Sequence, residues 1–144
     1  MFPFQKTMDD LDLKIVKVLS ENCKISFREL AKMLNVSAGT VRNRLIFLEK
    51  EGIIVGCSGR FNYKKLGLSE IIVGFDIFPE QYVNTLQRIK ELDFVKELYS
   101  TSGDHSAIAV VICNENEIYD YIRKMEKIEG VRKVYPAIVN SVIK

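Results

Sequence analysis

The sequence predicts an α+β fold in which three short helices precede a strand–helix–strand unit written twice. Three observations predict it. Capping residues stand before each of three apolar helical patterns in the first third of the chain. The second half matches itself at an offset of 36 residues, so that Tyr82 falls on Ile118 and Ile89 on Met125. Positive charge is gathered in front: Lys24–Arg60 carries a net +4, whereas the residues after Arg60 hold eleven bases and twelve acids, in a chain of net charge +2.

Asp9 precedes a pattern with Leu11, Ile15, Val18 and Leu19 on one face, and Asp12 adds an acidic first turn, which predicts a helix over about Asp10–Glu21. Ser26-Phe27-Arg28-Glu29 is a capping box, in which serine and glutamate satisfy each other's backbone amides. A second helix follows with Leu30, Ala31 and Leu34 inward. Asn35-Val36 makes a tight connection, Ser37 caps a third helix with Val41, Leu45 and Leu48 inward, and Gly52 ends it. Ile46 and Phe47 interrupt the polar outer face and are expected to pack on helix one, on the following strand or on a second subunit.

Two short helices joined by so short a turn form a helix-turn-helix, whose second helix presents its N-terminal residues to the major groove of DNA. Ala38, Gly39, Arg42 and Asn43 are expected to face outward, the small residues permitting close approach. Arg42 and Asn43 suit base edges, while Arg44, Lys32, Arg28 and the hydroxyl of Ser37 suit phosphates, with Thr40 beside them. Double-stranded DNA is thus the expected partner.

Ile53–Tyr63 reads as a strand broken by Gly56 and Gly59, and Lys64-Lys65-Leu66-Gly67 as a turn. Beyond it the self-match continues: Leu86 with Ile122, Leu92 with Ile128, Val95 with Val131, Tyr99 with Tyr135, and the strand Ile71–Phe78 with Ala107–Asn114. The resulting β-α-β-β-α-β order is ferredoxin-like, one antiparallel sheet with both helices on one face. Strands such as Ile71–Phe75 and Ile108–Ile112 are apolar on both faces. A second copy of the sheet is the expected cover, giving a homodimer. The expected division is a helix-turn-helix (winged-helix-like) domain at 1–52, a strand linker at 53–67 and a ferredoxin-like domain at 68–144.

Several classes are disfavoured. The best apolar run, Ile71–Phe78, is interrupted by Asp76 and ends at Pro79, and Met1–Met8 lacks the apolar core of a signal peptide, so no membrane and a cytoplasmic place are expected. Cys23, Cys57 and Cys113 are odd in number and widely spaced, which predicts reduced thiols with neither a disulfide nor a metal site. No nucleophile–base constellation or phosphate-cradling glycine loop is legible, so no catalytic residue and no cofactor are expected.

The motifs Asp9-x-x-Asp12-x-x-Ile15, Leu30-Ala31, Ser37-x-x-Thr40-Val41-x-x-Arg44-Leu45-x-x-Leu48-Glu49-x-x-Gly52-Ile53-Ile54, Leu66-Gly67, Ser102-Gly103-Asp104 and Gly130-Val131, in that order, resemble the Lrp/AsnC (feast/famine) transcription regulators from Asp9 onward. The resemblance implies dimers that assemble further, often to octamers, and an amino-acid effector held near Ser102-Gly103-Asp104-His105-Ser106. In that loop glycine gives room, amides can hold a carboxylate and an acid can meet an ammonium. The chain departs from the family pattern at Ser106, where a second acid is common, and near Pro136, where a threonine is. The loop serves equally well as a turn and subunit contact. His105, the one histidine, is read as a polar turn residue. Two other readings are an architectural DNA-binding protein without an effector and an enzyme like the siroheme decarboxylases, which share this architecture.

Overall fold

The computed structural model describes residues 8–144, so all but the last residue of Met1–Met8, read above for a targeting signal, lies outside the described residues. The chain divides into two compact units after Gly59. Among the described residues no helix is long and apolar enough to cross a membrane.

The first unit holds α1 (Asp10–Glu21), α2 (Phe27–Leu34) and α3 (Ala38–Lys50). Each begins where the capping chemistry predicts. Asp9 and Asp12 bond to each other's backbone amides at 3.0 Å, a reciprocal box at the head of α1. Ser26 and Glu29 repeat it at α2, and Ser37 Oγ accepts from the Thr40 amide at α3. The turn between α2 and α3 is tight because Asn35 takes a left-handed conformation (φ 55°), which asparagine tolerates better than most residues. Ile15, Leu30, Ala31, Val41 and Leu48 form the core, with Leu11, Val18, Leu19, Leu34, Leu45 and Phe47 half-buried around it. Ile46 stays exposed, whereas Phe47 packs inward as expected.

Two expectations fail in this unit. Residues 54–62 form no strand, because no strand among the described residues lies alongside to take their backbone groups. Ile53–Gly59 instead groups with the helices rather than forming a separate linker, since the amides of Ile53 and Ile54 donate to the Leu48 carbonyl at 2.9 and 3.1 Å and Ile54 packs on the helical core. Nor are Cys23 and Cys57 free thiols: they are joined in a disulfide, with Cα atoms 6.1 Å apart. A separation of 34 residues hides such a pair from the sequence, and only the packing of α1, α2 and α3 brings it together. Cys113 alone is a buried thiol.

The second unit carries β1 (Leu68–Ile77), α4 (Tyr82–Lys90), β2 (Val95–Ser100), β3 (Ala107–Asn114), α5 (Ile118–Glu126) and β4 (Val131–Ile138), the duplicated order. Its sheet runs β2-β3-β1-β4 with every neighbour antiparallel. The two helices have the same length and begin at the matched residues Tyr82 and Ile118, and the matched Ile89 and Met125 are both fully buried. Register explains why one face is dry. Ile71, Val73 and Phe75 pair with Val111, Ala109 and Ala107, all buried in the core that Ile89 and Met125 share. The alternate positions, Ile72 opposite Val110 and Gly74 opposite Ile108, point to the other face, where Ile72 is 45% exposed.

Candidate functional site

The N-terminal half of α3 is the first candidate surface. Ser37, Ala38, Gly39, Thr40, Arg42 and Asn43 are all exposed, as are Arg28 and Lys32 on α2. Ser37 and Thr40 also share a hydroxyl contact of 2.8 Å that closes the first turn. A Cβ built on Gly39 would meet only Ser37 Oγ at 3.9 Å, an ordinary contact, so nothing within the chain requires glycine there. Glycine in a helix costs about 1 kcal/mol against alanine.

Arg44 corrects the sequence reading, which placed it on phosphate. Its side chain is 11% exposed and forms ion pairs with Asp9 and, at 2.6 Å, with the fully buried Asp12. The same guanidinium lies 5.4 Å over the Phe47 ring. The hydrogen bond from the Asp12 amide, then that from Arg44, holds the Asp9 carboxyl below its ordinary 3.8. The pattern missed this because α3 completes its turn inward between Asn43 and Leu45. Only the three-dimensional meeting of the α1 cap with α3 reveals a partner for Arg44.

The second candidate surface is a cleft of about 420 Å³ beside the β2–β3 loop. Ser102, Gly103, Asp104, His105 and Ser106, all expected in this site, line it, and so do Asp76, Tyr82, Thr101 and Arg132, which were not expected. The loop is held in shape by backbone bonds from Thr101 to Ser106 and from Ser106 to Phe75, and Gly103 takes φ 119°, open to glycine. Tyr82 Oη lies 2.7 Å from Ser100 Oγ and donates to the Ser106 carbonyl at 2.9 Å, tying α4 to the loop. At a register shift in β1, the Ile77 amide donates to Ser106 Oγ, which gives a structural task to Ser106, the position at which the chain departs from the family pattern.

Asp76 is the hub of the cleft. Tyr135 Oη donates to it at 3.1 Å, Arg132 reaches it at 3.4 Å, and His105 Nδ1 lies 3.4 Å from it. Burial pushes the Asp76 carboxyl up, and the bonds from Tyr135, His105 and Arg132 outweigh it, leaving the group below its ordinary 3.8. His105 is therefore more than a turn residue: its ring stacks on Tyr135 with centroids 4.6 Å apart. That stack occupies the space over Gly74, where an added Cβ would sit 2.5 Å from the imidazole. The sequence held one signal for this hub, the lone acid inside the apolar strand Ile71–Phe78.

Comparison with known proteins places both units among solved and curated relatives. Residues 8–55 match the model of the winged helix-turn-helix DNA-binding family. The chain is similar to the HTH-type transcriptional regulator LrpA of Pyrococcus horikoshii, with 42% identity over 140 residues that cover 95% of this chain and 99% of the relative. The solved structure of Escherichia coli AsnC superposes with a TM-score of 0.69 at 27% identity, covering 96% and 95% of the two chains. A Neisseria meningitidis transcriptional regulator solved as an L-Met complex shares the fold, with a TM-score of 0.72 at 19% identity over 96% and 93%.

Proposed function

Because this chain belongs to the Lrp/AsnC family of DNA-binding transcription regulators, we propose that α3 reads its operator in the major groove. Arg42 and Asn43 address base edges, and Lys32, Arg28 and the Ser37–Thr40 turn address phosphates. The observation that carries this reading is the exposed N-terminal half of α3, small at Ala38 and Gly39 and polar at Arg42 and Asn43. Arginine is matched to guanine and asparagine to adenine by paired donor and acceptor geometry. Arg44 has no part in the contact, being committed to Asp9 and Asp12.

The protein acts as a homodimer through the open sheet face, with further assembly to larger symmetric particles such as octamers, and works in the cytoplasm, where DNA is. Two copies of α3 then meet two half-sites. The cleft takes an amino-acid effector: the loop amides around Gly103 receive the carboxylate, and Asp104 receives the ammonium. The L-Met complex of the Neisseria regulator favours this class of ligand.

The experiment is selection of bound duplexes from random-sequence DNA, followed by binding at fixed salt for the wild type, Arg42→Ala and Lys32→Ala. Arg42→Ala should cost roughly 1–3 kcal/mol and relax preference at one base position, while Lys32→Ala weakens all sequences alike. Equal affinity of the wild type for selected and random DNA would instead mark an architectural protein. Repeating the selection with a panel of amino acids tests the cleft.

A further inference from the structure

The disulfide between Cys23 and Cys57 encloses α2 and α3 within a separation of 34 residues. Cys23 sits in the turn between α1 and α2, Cys57 in the extended stretch that leaves α3, and both residues are exposed. Two amides anchor the start of that stretch, those of Ile53 and Ile54 on the Leu48 carbonyl. Beyond Ile54 it belongs to no helix or strand, and Val55 is 93% exposed. The disulfide is thus the covalent anchor at the far end of a stretch that secondary structure does not hold. It also leaves the outward residues of α3 uncovered.

A regulator that works on DNA meets the cytosol, where in mesophiles protein disulfides are characteristically transient and redox-sensing. We propose that Cys23 and Cys57 form a redox-governed clamp: as a disulfide they hold the stretch after α3 in place and DNA binds tightly, and as two thiols they release it and DNA binds weakly. The inference rests on DNA binding, which family membership supplies, and not on the base contacts proposed for Arg42 and Asn43.

The oxidant is a low-molecular-weight disulfide, RSSR. The Cys57 thiol loses its proton to water, and the thiolate attacks one sulfur of RSSR, expelling RS⁻ and forming a mixed disulfide. Cys23, likewise deprotonated, attacks the Cys57 sulfur and expels the second RS⁻. RSSR takes up the two electrons, and the two protons released to water are returned to the expelled RS⁻ groups, giving two RSH. Exposure lets the small disulfide reach these sulfurs. Cys113 stays outside the exchange, since it is buried and its thiol is pushed up by that burial and then by Glu117.

The test uses the full chain equilibrated with either oxidised glutathione or dithiothreitol, with a duplex recovered by selection from random-sequence DNA as probe. Alkylation after unfolding should find one thiol in the oxidised chain and three after reduction, with the bond inside one chain. Reduction should weaken DNA binding roughly tenfold, the ordering of several residues then falling on the bound state. Helix content should not change. The double variant Cys23→Ser/Cys57→Ser should bind weakly in both conditions, and Cys113→Ala should keep the full response. Equal affinity in the two states, with thiol counts verified, overturns the clamp. So does loss of helix on reduction, which would make the bond a fixed structural staple, or a disulfide that links two chains. Reduced wild-type protein carries the comparison by itself should the double variant not fold.

Discussion

Arg44 of α3 ion-pairs with Asp12 of α1 at 2.6 Å, and Asp12 is fully buried. Since Asp12 also caps the first turn of α1, one guanidinium fixes α3 to the start of α1. Removing one partner of a buried pair strands the other charge, which is why such losses exceed the worth of the pair itself. Arg44→Met should destabilise the protein by about 2 kcal/mol, below the usual figure for a dry pair because Asp9 is open to water. Denaturant unfolding measures that loss. At a temperature where the variant is folded, the slope of DNA affinity against salt should match wild type, whereas Lys32→Ala should lower it by about one. A reduced slope for Arg44→Met would return this residue to the phosphates.

Three carboxylates make the fold sensitive to acid. Asp9 is held low by the Asp12 amide and Arg44, Glu29 by the Ser26 hydroxyl and amide, and Asp76 by Tyr135, His105 and Arg132 against its own burial. Each group binds its proton less readily folded than unfolded, so each contributes stability that is complete above its ordinary value of 3.8 or 4.5 and is lost as pH falls through the lowered value. Thermal unfolding midpoints should therefore be flat from neutral pH to about 5 and fall steeply below 4. Asp9→Asn should shallow that fall, and an unchanged profile would exclude Asp9 as a contributor.

How far the sequence carried the fold depended on whether the signal was local. Ser26-x-x-Glu29, Asn35 and Gly52 act within one turn of chain, and the helices begin and end where they stand. The 36-residue match foretold the sheet because Ile89 and Met125 repeat the same burial. What stayed hidden needed two distant segments to meet. Arg44 with Asp9, Cys23 with Cys57 and Asp76 with Tyr135 are separated by 35, 34 and 59 residues. The stretch after α3 read as a strand from its composition alone, yet a strand needs a neighbour, which the described residues do not offer.

Gly39 tests the reading of α3 from the opposite side. Its Cβ position is open within the chain. Gly39→Ala should therefore raise stability by about 0.4–1 kcal/mol, because alanine restricts the unfolded chain and favours helix. The same methyl should weaken DNA binding if the backbone of α3 approaches the groove closely. Calorimetry and a binding titration read the two effects separately. A variant that gains stability with undiminished DNA affinity would remove close approach as the reason for this glycine.

Gly74 is required by its neighbour. An added methyl would lie 2.5 Å from the His105 ring, which Tyr135 backs on one side. Gly74→Ala should cost about 1–3 kcal/mol, as overpacking does, and should shift the amino-acid binding proposed for the cleft by displacing His105 from Asp76. Adding His105→Ala should recover most of the stability but not the binding. If the double variant is no more stable than Gly74→Ala, the collision with His105 is not the source of the loss.

The open sheet face places its own demand on assembly. Ile72 stands between Val110 on β3 and Ala137 on β4, an apolar row across three strands that is open at Ile72, whereas the His105 ring covers Gly74 in the next row. An apolar surface of this kind is stable in water only when covered, and a second copy supplies a matching surface. Ile72→Glu should then place an uncompensated carboxylate in the middle of the subunit contact, at a cost of several kcal/mol and at least a hundredfold in dimer affinity. Val83→Glu is the control, since Val83 is 77% exposed on α4, on the helix side of the sheet. Sedimentation equilibrium should show Ile72→Glu as monomer at concentrations where wild type and Val83→Glu are associated. DNA carrying two half-sites should correspondingly lose its advantage over DNA carrying one, because the two copies of α3 are no longer joined. A wild-type chain that is monomeric at micromolar concentration, or an Ile72→Glu variant that associates normally, would place the subunit contact elsewhere.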